Sequence, residues 1–396
     1  MRLALFALVF FGLLQWAFHR ELRPLLPRLL GRGLPWIQAV LHLPLLAYVG
    51  LRLSGLGNRA ILEFLRPGSR VALYLQMVAL VFLAWMLLAK ALFRFRHGPE
   101  TEPESPGRRA FLRNSALMSA GAAAASGGLG AVEAYSDPLV TRLSLPLAGL
   151  PQGLEGLRIA YLSDMHAGPL VGEAQLRRWR ELAERERPEL LLFGGDFVDS
   201  RPEEIPLFVE AFRTFRAPLG SFAILGNHDY FQDPGPIWAA LEAMGVRCLE
   251  NAHAVLERGG SHLALVGLQD PMALNGRFEG IRFGPGPQVA KAVEGLGPEP
   301  FRLGLIHAPS QWARARRAGA QLTLAGHTHG GQINLVPGLS SARFLGPYTA
   351  GLYEKDGAKL YVSRGLGVVG LPMRIAAPPE LLILTLVRAP IDRSSA

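Results

Sequence analysis

Five short segments between residues 164 and 329 carry carboxylate, imidazole and amide side chains that could bind metal ions. They are Asp164-Met165-His166, Gly194-Gly195-Asp196, Gly226-Asn227-His228-Asp229, His307 and Gly326-His327-Thr328-His329. Manganese, iron and zinc bind mixed oxygen and imidazole ligands, and one carboxylate can bridge two ions that act on a phosphate. A single Asp-x-His is common in ordinary loops, but all five segments in this order predict a two-metal hydrolase.

Each segment follows a short apolar run, and such runs are typical of strands buried on both faces. The runs are 157–162, 190–193, 221–225, 303–306 and 322–325. Helical stretches at 172–187 and 203–215 intervene, which predicts a layered α/β fold with helices outside a two-sheet core. Because ligands collect where such strands end, the five segments are expected to converge.

In order and in every ligand position, the five segments resemble the calcineurin-like metallophosphoesterase superfamily. Details at 162–168, 326–332 and 361–367 are similar to its membrane-associated branch, which contains the YkuE- and YaeI-type phosphodiesterases. The resemblance covers about residues 139–390. It implies a four-layer sandwich of two mixed β-sheets flanked by helices.

The resemblance also implies how the ligands divide between two divalent metal ions (Mn, Fe or Zn). Asp196 would bridge the ions, and a hydroxide held between them would attack phosphorus in line. Each ion would have three further ligands: Asp164, His166 and His329 for one, and Asn227, His307 and His327 for the other.

Two residues that follow the metal-binding asparagine would complete the catalytic site. His228 would lie near the leaving group, as a general acid or a charge stabiliser. Asp229 would orient the imidazole of His228. Both roles are implied by the resemblance and by their position directly after Asn227.

Other polar residues give weaker signals. Asp199 follows the bridging carboxylate by three residues and is expected to brace its loop. His253 and His262 lie in strand-like segments and are expected to have no metal role. Arg364 with Gly365–Gly367 forms a glycine-rich segment that either lines the phosphate pocket or makes a structural turn.

The first 95 residues contain three long apolar stretches, at 3–18, 34–54 and 71–93. A stretch of about 20 apolar residues is long enough to cross the hydrocarbon core of a bilayer. A buried core helix is the alternative, but length and lack of charge favour spans. The sequence therefore predicts a three-span transmembrane region over 1–95, followed at 139–396 by the catalytic domain.

Residues 96–138 are predicted to be a linker followed by a twin-arginine-like signal or a fourth span. The pair Arg108-Arg109 precedes Phe111-Leu112 and a weakly hydrophobic Ala/Gly run from Asn114 to Ala131. This arrangement resembles a twin-arginine export signal, with the export machinery as a partner. The alternative is a basic anchor at the start of a fourth span. In both cases the arginines stay cytoplasmic and the segment crosses the membrane.

The formal charge of +9 lies entirely in the N-terminal third. Residues 1–135 hold 15 basic and 6 acidic residues, whereas residues 136–396 hold 26 of each. A neutral catalytic part without a basic patch argues against nucleic acid as a partner and against a DNA nuclease. Cys248 is the only cysteine, which excludes an internal disulfide and a thiolate metal cluster.

The distribution of basic residues also predicts topology. Six of them lie between the third apolar stretch and the Ala/Gly run: Lys90, Arg94, Arg96, Arg108, Arg109 and Arg113. The positive-inside rule places this loop in the cytoplasm. The protein is then a multi-pass protein of the bacterial inner membrane, with its catalytic domain outside the cytoplasm.

These features favour a phosphoesterase that hydrolyses a phosphodiester or pyrophosphate bond of an amphiphilic cell-envelope or lipid-linked substrate. One alternative is a pyrophosphatase of the UDP-diacylglucosamine type, as in lipid A synthesis. Another is a membrane sensor or scaffold with an inert phosphoesterase fold. The inert alternative requires a damaged ligand set, and every expected ligand is present.

Overall fold

The computed structural model describes residues 2–23, 28–54, 59–97, 106–274, 282–334 and 339–389. The chain divides into two compact units. One comprises Met1–Val132 with Gly370–Met373, and the other comprises Glu133–Val369 with Arg374–Ala396. The predicted linker around 98–105 and the side chains of the twin arginines lie outside the described residues.

The N-terminal unit is helical. Its helices are α1 (Arg2–Leu22), α2 (Arg28–Ser54), α3 (Arg59–His97) and α4 (Pro106–Tyr135). Within the described residues, Arg32–Leu51 and Val71–Leu92 are long and apolar enough to cross a membrane. They coincide with the second and third predicted spans. The predicted first and fourth spans lie in α1 and α4 and stay predictions.

Polar contacts join the first three helices. The Gln15 amide nitrogen donates to the Gln76 side-chain oxygen at 2.9 Å, and the Gln38 amide donates to Gln15 at 2.7 Å. Gly68 lies so close to Pro44 that a Cβ atom on Gly68 would come within 2.6 Å of the proline ring. In lipid, small residues allow close helix packing and amide side chains find partners on neighbouring helices.

Twelve strands form two six-stranded sheets in the described part of the second unit. The first sheet has the order β1-β12-β2-β3-β4-β5 and the second has the order β10-β11-β9-β8-β7-β6. Both contain parallel and antiparallel pairs. The strands are β1 Leu139–Leu147, β2 Arg158–Leu162, β3 Leu190–Phe193, β4 Ser221–Ala223, β5 Val246–Cys248, β6 Ala252–Arg258, β7 Ser261–Gly267, β8 Phe301–Leu305, β9 Leu322–Ala325, β10 Gly351–Lys355, β11 Ala358–Val362 and β12 Glu380–Arg388.

Alternate residues of these strands fill the space between the two sheets. Leu303 and Leu305 of β8 pack there with Leu322 and Leu324 of β9, all fully buried. The intervening positions face the outer layer, where a second apolar cluster contains Trp312. The outer helices are α5 Glu173–Arg185, α6 Ile205–Phe212, α7 Gly235–Ala243, α8 Val289–Ala292 and α9 Trp312–Arg317. The predicted sandwich of two mixed sheets flanked by helices is therefore confirmed.

A buried carboxylate connects the two sheets. Glu380, at the start of β12, is 1% exposed and accepts hydrogen bonds from Thr141 of β1 at 2.6 Å and from Tyr361 of β11 at 2.7 Å. The backbone amide of Arg364 donates to the same carboxylate at 3.0 Å and its guanidinium at 3.2 Å. Four donors therefore compensate for the burial of one negative charge.

We expect Glu380→Ala to lower the free energy of unfolding by about 3–5 kcal/mol, because it leaves Arg364 and two hydroxyl groups without their buried acceptor. The matched control is Glu354→Ala, since Glu354 pairs with Lys359 but is exposed. An exposed pair contributes at most about 1 kcal/mol. Denaturant unfolding of both variants measures the difference, and equal losses would contradict a bridging role for Glu380.

Candidate metal centre

All five segments begin where a strand ends. Asp164 and His166 follow β2, Asp196 follows β3, and residues 227–229 follow β4. His307 follows β8 of the second sheet, and residues 327–329 follow β9. Because β2, β3 and β4 are mutually parallel, as are β8 and β9, their carboxyl ends bring the segments together from both sheets.

The backbone at these positions is unusual. Ten described residues other than glycine have positive φ, and half of them belong to the predicted ligand set. The five φ values are 56° at Asp164, 47° at His166, 54° at Asp196, 72° at His327 and 50° at His329. The left-handed region costs a non-glycine residue roughly 1–2 kcal/mol. Such strain persists where surrounding structure enforces it, which is frequent at ligand-binding sites.

One group of ligand atoms comes from Asp164, His166 and His329. The Nε2 atoms of the two histidines are 3.0 Å apart, and Nε2 of His329 is 3.7 Å from Oδ1 of Asp164. All three side chains are buried. Burial lowers the pKa of both histidines well below its ordinary value, so the imidazoles are neutral and their nitrogens can bind a metal.

A second group comes from Asn227, His307 and His327. Oδ1 of Asn227 is 2.8 Å from Nδ1 of His327 and 3.1 Å from Nε2 of His307. Burial lowers the pKa of His327 to about 4, which keeps that imidazole neutral as well.

Asp196 lies between the two groups. Its Oδ2 atom is 3.5 Å from Nε2 of His166 in the first group and 3.2 Å from Nε2 of His307 in the second. Although burial acts in the opposite direction, the charges of His307 and His228 hold the pKa of Asp196 well below its usual range. One buried anion therefore faces both sets of imidazoles, and this donor set fits divalent metal ions that accept nitrogen and oxygen ligands.

Comparison with known proteins places all five segments within one family match. The family model for calcineurin-like phosphoesterases matches residues 157–331. The chain is 31% identical over 252 residues to a metallophosphoesterase of Aquifex aeolicus, an alignment that covers 62% of this chain and 91% of that protein. The chain belongs to the calcineurin-like phosphoesterase family.

Two further relatives bear on membrane association and on how much of the chain is shared. The chain is 34% identical over 267 residues to a transmembrane protein with a metallophosphoesterase domain from Danio rerio, covering 66% of this chain and 60% of that protein. It is 29% identical over 296 residues to the metallophosphoesterase YkuE of Bacillus subtilis, covering 70% of this chain and 97% of YkuE. The chain thus spans about three fifths of the length of the transmembrane relative. The predicted family is confirmed, and membrane association is supported.

His228 lies beside the first ligand group and is half-buried. Its ring packs edge-on against His166, with 4.5 Å between ring centroids. Its Nδ1 atom is 2.5 Å from the backbone carbonyl oxygen of Asp199. A carbonyl oxygen can only accept, so Nδ1 carries the hydrogen and Nε2 is the nitrogen that can exchange a proton with a substrate.

The expected role of Asp229 is wrong. Its carboxylate accepts hydrogen bonds from the backbone amides of Asp196 and Gly226, both at 2.9 Å, and of Phe197 at 3.0 Å. These amides belong to the loops that follow β3 and β4, and they take the carboxylate that was expected to bond His228. Asp229 therefore shapes the loop that carries Asp196, and the carbonyl of Asp199 orients the imidazole.

Arg374 is a residue that the sequence analysis missed. Its guanidinium is fully buried and donates to the carbonyl oxygens of Ala377 at 2.8 Å and Arg364 at 2.9 Å, among others. Its Nη2 atom lies 3.2 Å from Nδ1 of His329. Burial lowers the pKa of Arg374 to about 10, so it stays charged at neutral pH. Its main partners are backbone carbonyls, so no acidic residue in the sequence indicates that Arg374 is buried beside the site.

The glycine-rich segment Gly365–Gly367 makes contacts with the backbone of the first ligand loop. The backbone amides of Leu366 and Gly367 donate to the carbonyls of Ser163 and Asp164 at 3.0 and 2.7 Å, so the glycine-rich segment packs behind the first ligand loop. Gly365 has φ 68°, and a Cβ atom there would lie 2.6 Å from that of Asp164. Of the two alternatives for this segment, a structural turn or a lining of the phosphate pocket, the structure therefore supports the turn.

We expect Asp196→Asn to lower bound metal more than any other single ligand change, because this carboxylate faces both groups. Asn227→Ala should remove metal from the second group only. His262→Ala is the control, since His262 is exposed on β7 and outside the site. Elemental analysis after dialysis measures the metal content per chain. If Asp196→Asn and His262→Ala retained the same amount of metal, the bridging assignment would be contradicted.

Proposed function

We propose that this chain hydrolyses a phosphodiester or pyrophosphate bond of an amphiphilic, membrane-borne substrate at a two-metal centre. The observation that supports this most strongly is the position of Asp196, whose Oδ2 lies within 3.5 Å of imidazole nitrogens from both ligand groups. A bridging carboxylate is the feature that a two-ion site requires beyond two separate one-ion sites.

Seven residues would hold the two ions. Asp164, His166 and His329 would bind one, Asn227, His307 and His327 the other, and Asp196 both. When bound, manganese, iron or zinc ions would neutralise phosphate oxygens and lower the pKa of a shared water. The mixture of four imidazoles with oxygen donors favours these ions over magnesium or calcium, which prefer oxygen ligands alone.

His228 would protonate or stabilise the leaving oxygen. The hydrogen bond from its Nδ1 atom to Asp199 fixes the ring and leaves Nε2 as the exchanging nitrogen. The ring also packs against Phe231 in a tilted arrangement, with 4.1 Å between centroids, and this contact restrains it further. A fixed ring reduces the orientational freedom that proton transfer would otherwise have to overcome.

A cleft beside His228 would receive the leaving group. It is lined by polar Ser200, Arg201, Gln232 and Asp233 together with apolar Val198, Ile205 and Ile237. Polar groups in such a cleft orient a bound group, and apolar side chains contact its carbon skeleton. The mixed lining is therefore compatible with the organic leaving group of a diester.

We expect His228→Ala to lower kcat/KM for an aryl phosphodiester by roughly 10²–10⁴-fold when the leaving phenol is poor. The loss should shrink with more acidic phenols, because these need less protonation as they leave. Metal content should stay close to that of the wild type, and His262→Ala is the control for loss of a histidine outside the site.

The measurement is the dependence of log kcat/KM on the pKa of the leaving phenol for wild type and both variants. A uniform loss across all phenols would argue that His228 acts by position or charge. Full activity of His228→Ala on the poorest leaving group would exclude a role in leaving-group departure.

We also propose that the catalytic unit lies outside the cytoplasm of a bacterial cell. The basic residues around the twin arginines support this orientation through the positive-inside rule. In that compartment the substrate would be a cell-envelope or phospholipid diester. A nucleotide-linked lipid would instead require the active site to face the cytoplasm.

A pair of reporters fused after residue 150 tests this orientation. We expect a reporter that is active only after export to be active, and a fluorescent reporter that folds only in the cytoplasm to be dark. The reverse pattern would place the site in the cytoplasm. Arg108→Lys with Arg109→Lys should block export if the pair is an export signal and leave insertion intact if it is only an anchor.

A further inference from the structure

An exposed apolar loop lies next to the metal centre. In this loop, residues 339–345, Phe344 is 97% exposed, Leu345 is 56% exposed and Leu339 is 49% exposed. Large apolar side chains that are exposed together mark surfaces that bind a partner or a membrane. The basic side chain of Arg343 is exposed directly beside Phe344.

The loop is held in place by the segment that follows the last predicted metal ligand. The hydroxyl of Ser340 donates to the carbonyl of Gly330 at 2.9 Å, and the hydroxyl of Ser341 donates to that of Gly331. The backbone amide of Ser341 donates to Asn334 at 2.9 Å. Gly330 directly follows His329, so the base of the loop is fixed to the ligand loop itself.

This attachment limits the distance between the apolar side chains and the site. Phe344 is three residues from Ser341, a path of at most roughly 10 Å of extended chain. The short helix Ser341–Leu345 shortens it further. Whatever surface covers Phe344 and Leu345 therefore lies close to the metal centre.

We propose that this loop inserts into the surface of a lipid bilayer and presents the metal centre to lipid headgroups. The same chain carries two candidate membrane spans, Arg32–Leu51 and Val71–Leu92, so a bilayer is its nearest partner at high effective concentration. An apolar tip with an adjacent cation matches the interface between acyl chains and anionic headgroups. The inference rests on the proposed function for its substrate class: a phosphodiester that remains in the bilayer while it is cleaved.

A fluorescent probe on the loop tests the contact directly. The full chain with Cys248→Ser and Phe344→Cys is labelled with an environment-sensitive dye and reconstituted in phosphatidylcholine–phosphatidylglycerol vesicles that carry a spin-labelled lipid. Val255→Cys is the matched control, because Val255 is 45% exposed on β6, at the opposite edge of the second sheet from β10. We expect quenching at least several-fold stronger at position 344. Equal quenching at both positions would overturn the proposal.

Turnover separates this inference from the proposed function. Phe344→Ser with Leu345→Ser should raise KM for a phospholipid diester in vesicles about tenfold, with little change in kcat. It should turn over a soluble aryl phosphodiester as the wild type does, and Val255→Ser should change neither. Unchanged KM on vesicles would contradict the insertion of the loop. A wild-type chain that is inactive on both substrates would overturn the proposed function, whereas the quenching result would still decide the lipid contact.

Discussion

The arrangement of the site depends on burying the carboxylate of Asp196 between two sets of imidazoles. The loop that carries Asp196 turns at Gly195, where the neighbouring backbone of Gly226 leaves no room for a side chain. A Cβ atom on Gly195 would lie 2.4 Å from the backbone nitrogen of Gly226, and one on Gly226 would lie 2.2 Å from Oδ1 of Asp196. Asp229 then binds the amides on both sides of this contact. The two glycines and Asp229 therefore fix the distance between β3 and β4 at their ends, and with it the distance between the two ligand groups.

The fold class and the convergence of the candidate ligands were predictable from the sequence because both follow from local patterns. Continuous apolar runs such as 322–325 indicated strands buried on both faces, and the structure places this run in the second sheet between β8 and β11. Ligand residues stood directly after those runs, so the parallel order of the strands was enough to bring Asp164 near Asp196. What the runs could not show was which sheet each strand joins, since β12 pairs with β1 from the far end of the chain.

The orientation of His228 and the surroundings of His329 were not predictable, because backbone groups determine both. The carbonyl of Asp199 orients His228, and any residue at position 199 would offer the same carbonyl. Arg374 lies behind His329 through contacts that are mostly with carbonyl oxygens. Asp229 was expected beside His228 because of its position in the sequence, but strand ends supply unpaired amides that compete for a nearby carboxylate. Sequence patterns indicate the types of side chains, whereas these contacts are made largely by main-chain groups, so the sequence did not predict them.

The insertion of β12 between β1 and β2 also determines when the site can form during synthesis. Leu139 of β1 pairs with Glu380 of β12, so the first sheet lacks its second strand in sheet order until residues 380–388 have left the ribosome. Until then β2, which leads to Asp164 and His166, has an open edge that invites aberrant pairing. Contacts of such long sequence separation form slowly. A metal site built on the loop after β2 would therefore be completed only after residues 380–388 have been synthesised, and it would take its ions from the compartment in which β12 docks.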